Sequence, residues 1–363
     1  MRTGFRYAVI VCATAGLLGV ARAGDLAITS FGGNGQLVFN TLNDGTNYDY
    51  RVEWAPSPAG PWRCFDGAAG LLQSIASAGS GSITSSVPMC YRVVALPPHL
   101  SGMVRVPGGT NAGRDPDSGT YSLTVEEFYM DRYEVTKTQW DEVYTWSTDK
   151  YSYSYDNAGG GKSKGHPVQM VNWYDCVKWC NARSEKNGFT PVYYTDAAMT
   201  QVYKAGQVLE PYVKASANGY RLPTDTEWEY AARGGVSGRR FPWGDGDTIQ
   251  HVRANYSSSS AYSYDTSPTR GYHPTYNDGI TPYTSPAGSF APNGYGLYDM
   301  AGNVWEWCYG WCPGYEGTYR VLRGGGWLTN ARSCGSAFDH ESRSPGNAYS
   351  YLGFRAVLSQ GQR

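Results

Sequence analysis

The chain has 363 residues and a net charge of -1, so there is no electrostatic case for nucleic acid or for an anionic membrane surface. Forty-six glycines beside 31 tyrosines and 12 tryptophans exclude a helical bundle and suit a loop-rich fold with large aromatic anchors. The length is generous for one core, and two domains are expected.

At the N-terminus, Arg2 and Arg6 precede an apolar run from Tyr7 to Val20 and the small-x-small triplet Ala21-Arg22-Ala23, the pattern of a signal peptide over residues 1–23. The mature protein is therefore expected to be secreted or periplasmic, and no later run is long and apolar enough to span a membrane. Residues 24–98 alternate apolar and polar positions in short runs, as in Tyr48–Trp54 and Met89–Ala95, separated by Gly, Pro, Asn and Ser clusters. This predicts a small all-β sandwich module. Cys64 and Cys90 are its only cysteines, and export makes a disulfide between them the expectation. Pro97-Pro98 marks the exit into a larger domain.

Three helix starts follow. Thr136 with Gln139, Asn172 with Asp175, and Thr224 with Glu227 each offer a side-chain acceptor and, three residues on, a side chain that can reach back. Gly188 and Gly234 are expected to close the second and third helices. Cys176 and Cys180, four apart on the second helix, read as small buried apolar residues. Cys308 and Cys312 could bridge each other, or either could pair with Cys334. The five histidines show no zinc or iron spacing. Gly161-Lys162-Ser163 imitates the tail of a phosphate loop, but Asp156 stands where its first glycine is needed.

Five ordered blocks carry a resemblance: Gly219-Tyr-Arg-Leu-Pro-Thr-Asp-Thr-Glu-Trp-Glu-Tyr-Ala-Ala-Arg-Gly-Gly235, Phe241-Pro-Trp-Gly244, Gly294-Tyr-Gly-Leu-Tyr-Asp-Met-Ala-Gly-Asn-Val-Trp-Glu-Trp307, Arg323-Gly-Gly-Gly-Trp327 and Leu352-Gly-Phe-Arg355. Over about residues 101–358 the chain resembles the sulfatase-modifying factor family, whose namesake is the formylglycine-generating enzyme. The resemblance implies an α+β, formylglycine-generating-enzyme-like (C-type-lectin-like) domain with much irregular structure and bound calcium. It implies one calcium site from the side chains of Asn255 and Asp278 with the carbonyls of Tyr256 and Ile280. A second is implied from Asn303 and Glu306 with the carbonyls of Gly302 and Val304. Such mixed oxygen donors suit calcium.

In the namesake enzyme two cysteines hold Cu(I) for oxygen-dependent oxidation of a substrate cysteine. The matching positions here are Thr329 and Cys334, with Trp307 matching an active-site tryptophan and Gly326 standing where the enzyme has serine. A hydroxyl is a hard, neutral donor and does not replace a soft thiolate on Cu(I). Fold and activity are thus separate questions. The segment from Trp327 to Tyr351 mixes aromatic, charged and small polar residues without period, which predicts an exposed binding loop. Its candidate ligand-contacting residues are Trp327, Phe338, His340, Tyr349 and Tyr351. The expected function is a secreted, calcium-stabilised scaffold that binds an exported protein or a glycan. The alternative is a copper-dependent oxidase acting on a sulfatase cysteine through Cys334 and Trp307.

Overall fold

The computed structural model describes residues 102–338 and 341–359 in full, with Leu100 and the backbone of six N-terminal strands. The chain divides into two compact units, Met1–Gly102 and Met103–Arg363.

In the first unit the strands are β1 (Arg6–Cys12), β2 (Ile28–Phe31), β3 (Leu37–Phe39), β4 (Asp49–Ala55), β5 (Arg63–Cys64) and β6 (Cys90–Leu96). They form a sheet in the order β1-β6-β4-β5 and a separate β2-β3 pair. β1 lies within the expected signal peptide, 1–23, and the rest of that segment, like the sandwich packing expected for 24–98, lies outside the described residues. Cys64 stands opposite Glu53 and Cys90 opposite Ala55, on strands that flank β4. Two ladder spacings amount to roughly 10 Å between backbones, wider than a disulfide spans. The expected Cys64–Cys90 bridge does not fit this register; the two side chains are outside the described residues.

The second unit runs β7 (Met103–Val106), β8 (Gly109–Asp115), β9 (Gly119–Val125), β10 (Phe128–Asp131), α1 (Lys137–Lys150), α2 (Trp173–Lys186), β11 (Tyr193–Tyr194), β12 (Tyr212–Val213), β13 (Tyr220–Arg221), α3 (Asp225–Ala232), β14 (Trp305–Trp311), β15 (Arg320–Arg323), β16 (Ser342–Arg343), β17 (Leu352–Gly353) and β18 (Val357–Ser359). One sheet has the order β13-β18-β10-β7, so the first and last strands of the unit both pair with the wholly buried β10. A second sheet, β16-β15-β14-β17, carries the Trp-Glu-Trp and Arg-Gly-Gly-Gly-Trp blocks side by side. No helix among the described residues is long and apolar enough to cross a membrane.

All three expected capping boxes form, and they begin α1, α2 and α3. Both predicted glycine stops adopt the left-handed conformation, Gly188 at φ 73° and Gly234 at φ 57°. At Gly234 a Cβ would also press on the Gly294 amide nitrogen at 2.7 Å. The Asn293 amide group then donates to the Ala231 and Ala232 carbonyls at 2.8 and 3.0 Å, satisfying the end of α3.

The core is built on six fully buried tryptophans, Trp140, Trp173, Trp179, Trp228, Trp305 and Trp307. Trp140 and Trp179 stack at 6.1 Å, and Phe354 meets them edge-on at 6.1 and 5.2 Å. Between α3 and β14 the chain has no helix or strand. Buried side chains pin it: Asp265 accepts from the Tyr256 hydroxyl (2.7 Å), the Ser258 hydroxyl (2.9 Å) and the Ser259 amide (2.8 Å). The five described cysteines, Cys176, Cys180, Cys308, Cys312 and Cys334, are all buried and free. A bridge among Cys308, Cys312 and Cys334 is therefore not formed, and all five act as packing residues.

Candidate functional site

β15 ends at Arg323, whose guanidinium is buried against Asp225 at the start of α3 and Glu229 one turn further on. The chain then turns through Gly324, Gly325 and Gly326. Gly325 has φ 78°, and a Cβ there would lie 2.9 Å from the Ser333 carbonyl and 3.1 Å from Cys334 Sγ, so the turn closes directly on the thiol. Thr329 clasps this loop. Its Oγ1 accepts from the Gly326 N–H at 2.9 Å and donates to the Gly326 carbonyl at 3.0 Å. Cys334 ends a single 3-10 turn, Ala331–Cys334, and is buried among Phe241, Ile249, Ala254, Tyr256, Ala301 and Ala331. Burial, with the Asp265 carboxylate adding to it, pushes the Cys334 thiol well above its ordinary range.

These residues do not fit Cu(I). A hydroxyl already engaged with its own loop stands where one thiolate is needed, which leaves Cys334 as a single sulfur donor. Trp307 is the other residue expected at this site. It is fully buried, with its indole N–H on the Val171 carbonyl at 3.1 Å. The tryptophan beside the loop is Trp305, since a Cβ at Gly326 would lie 3.3 Å from its Cδ1. Both rings lie on one strand two residues apart, and no local signal in Trp-Glu-Trp separates them.

The first expected calcium set is not assembled. Asp278 and Ile280 serve a lysine: Lys162 Nζ donates to Asp278 Oδ1 at 2.7 Å and to the Ile280 carbonyl at 3.1 Å. The Tyr256 carbonyl lies 3.2 Å from His251 Nε2, and Asn255 donates its amide to the Tyr283 carbonyl at 2.8 Å.

The second set is partly committed. Glu306 accepts from Arg355 Nε and Nη2 and from the Trp228 indole, each at 2.7 Å. Asn303 donates to Glu134 at 2.6 Å and accepts from the Ser285 amide at 2.9 Å. Among the described residues no three His, Cys, Asp or Glu side chains form a metal-holding group. Yet Glu134, Asp299 and Glu306 share a single guanidinium, Arg355, and Asp299 Oδ1 is buried without a partner. Burial pushes Asp299 up to about 6, and burial with the neighbouring carboxylates raises Glu134 strongly. Asp299 Oδ1 is a buried side-chain oxygen that a cation would find uncommitted, beside the Asn303 and Glu306 of the expected set. Sequence reasoning missed Asp299, although a carboxylate three residues before Gly302 was visible there.

The expected binding segment is more buried than its composition suggests. Trp327 is 5% exposed, with its indole N–H on the Ser350 carbonyl at 3.1 Å. It is a hub rather than an exposed anchor, packing against Tyr272 and Tyr283 at 5.7 and 5.2 Å. Tyr349 and Tyr351 stack at 5.2 Å on either side of Ser350, and Tyr272 and Tyr349 are the exposed members of this group. Phe338 lies apart from it, against Trp305 at 6.1 Å. His340 is outside the described residues. The structure thus joins Tyr272 and Tyr283, absent from the sequence reasoning, to Trp327, Tyr349 and Tyr351.

Comparison with known proteins gives the family. The sulfatase-modifying factor enzyme 1-like domain matches residues 94–360. Chaperone protein LppX of Paenibacillus barcinonensis is 32% identical over 247 residues, covering 64% of this chain and 80% of that protein. The formylglycine-generating enzyme of Thermomonospora curvata is 31% identical over 294 residues, covering 70% and 93%. The inactive C-alpha-formylglycine-generating enzyme 2 of Bos taurus is 31% identical over 294 residues, covering 72% and 89%. The solved structure of CarF superposes with a TM-score of 0.56 at 27% identity, over 71% of this chain and 97% of that one. With the ordered blocks, the closed glycine turn and these relatives, the chain belongs to the sulfatase-modifying factor enzyme 1-like family.

Proposed function

We propose that this chain is a non-catalytic, exported member of the family, of C-type-lectin-like architecture, that presents a tyrosine-rich surface to a protein or glycan and is stabilised by calcium at the Asp299 set. The observation that carries this reading is the Thr329 clasp: the hydroxyl at the first copper position is engaged with Gly326, while Cys334 is sealed among apolar side chains. Relatives named as a chaperone and as an inactive enzyme support it. The surface is Tyr272, Tyr283, Tyr349 and Tyr351 around Trp327, planar rings whose hydroxyls suit either ligand class. Mass spectrometry of a Cys-x-Pro-x-Arg peptide incubated with the protein, Cu(I) and oxygen is expected to show no aldehyde. Copper-dependent aldehyde that disappears in Cys334→Ala would establish the oxidase instead. On glycan and exported-protein arrays, binding is expected to be lost in Tyr349→Ala/Tyr351→Ala with melting temperature retained.

A further inference from the structure

Lys162 lies in the Gly161-Lys162-Ser163 run that imitates a phosphate loop without being one. Its ammonium instead meets two of the four oxygens expected to bind calcium, Asp278 Oδ1 at 2.7 Å and the Ile280 carbonyl at 3.1 Å. The Lys162 side chain is only 19% exposed, and its nitrogen sits 5.8 Å from the centre of the Tyr283 ring. The turn it grips is ordered by the same carboxylate, since Asp278 Oδ1 also accepts from the Ile280 amide at 3.1 Å.

The two loops are joined at further points. His166 Nδ1 lies 2.9 Å from Thr284 Oγ1, and the Ala287 amide donates to the Gly165 carbonyl at 2.9 Å. Lys162 therefore arrives from a segment already fixed against the one it binds, and little additional ordering is needed to place its charge. A calcium ion on these two oxygens would sit about 2.4 Å from each. It would then lie within a few ångströms of the ammonium, where two positive charges sharing one carboxylate repel strongly.

We propose that Lys162 is a tethered replacement for the first calcium: its ammonium occupies the Asp278–Ile280 donors, holds the 278–283 turn, and excludes the metal from this place. Ammonium and calcium differ in what they tolerate. Lysine offers three N–H donors to a few oxygens, so the Asp278 carboxylate and the Ile280 carbonyl suit Lys162 as they stand, while the Asn255 side-chain oxygen of the expected set is buried without a partner and remains for a metal once the ammonium is gone.

Calcium titration calorimetry on the full chain, with thermal unfolding in chelator and in millimolar calcium, tests this. Lys162→Gln is expected to bind one more calcium than the wild type, to melt lower in chelator, and to recover in calcium. Lys162→Arg keeps the wild-type stoichiometry, and Asp278→Asn leaves the wild-type stoichiometry unchanged while abolishing the gain in Lys162→Gln. A calcium lost from the wild type on Asp278→Asn alone, or no additional calcium in Lys162→Gln, would overturn the proposal. Calcium at the Asp299 set is read separately, through Asp299→Asn.

Discussion

Thr329 shows how one hydroxyl can decide between a reactive loop and a structural one. Thr329→Val keeps the shape but leaves the Gly326 N–H without its acceptor, and a loss of about 1–2 kcal/mol is expected in urea denaturation. Titration argues at the same scale. His251 and His273 lie 5.0 Å apart, with Asp265 and Arg270 facing His251, and burial holds both imidazoles below their ordinary value. The unfolded chain takes up protons near pH 6.5 that the folded form refuses. Stability present above that pH should therefore fall on acidification through it, and His273→Gln should flatten the fall in denaturation midpoints between pH 7 and 5.5. Thr329 was legible from its neighbours in sequence. Lys162 was not, because the oxygens that define its role come from a segment more than a hundred residues away.

At the scale of elements, legibility follows the range of the interactions. The three helices could be read because a capping box is complete within four residues, and each formed where its box begins. Asn172 also acts beyond its own helix, for besides capping α2 its amide donates to Asp156 Oδ2 at 2.8 Å. Asn172→Ala is expected to cost more than the usual ~1 kcal/mol of an N-cap, and more than Thr224→Ala at the solvated start of α3, as measured by chemical denaturation. The buried 3-10 turn Ala331–Cys334 was unreadable for the opposite reason. Its polar composition suggested exposure, yet Ala331, Ser333 and Cys334 are covered by rings and loops from elsewhere in the unit. The same reason separates Trp305 from Trp307: both are strand residues on one face, and only tertiary contacts along β14 decide which meets the glycine loop.

Across the whole molecule, charge in the interior and closure of the chain are the two organising facts. Glu306 and Arg355 are fully buried and joined at two points, and Arg355 also faces Glu134 and Asp299. Removing the guanidinium with Arg355→Met strands several carboxylates in the core and is expected to cost about 3–5 kcal/mol. Melting curves should show that loss as a failure of cooperative unfolding in chelator. Chelation of the wild type, if initially calcium-loaded, should lower its melting temperature through loss of a ligand bound to the native state alone.

Closure has a mechanical side. β7 and β18 both run antiparallel to β10, so they are parallel to one another. Tension between the start of β7 and the end of β18 pulls the two strands in opposite directions along that shared axis. The ladders on β10 are then sheared with all their hydrogen bonds loaded together, rather than peeled one at a time. A protein held by one terminus and tugged at the other would resist like a lap joint, giving way in a single high-force event.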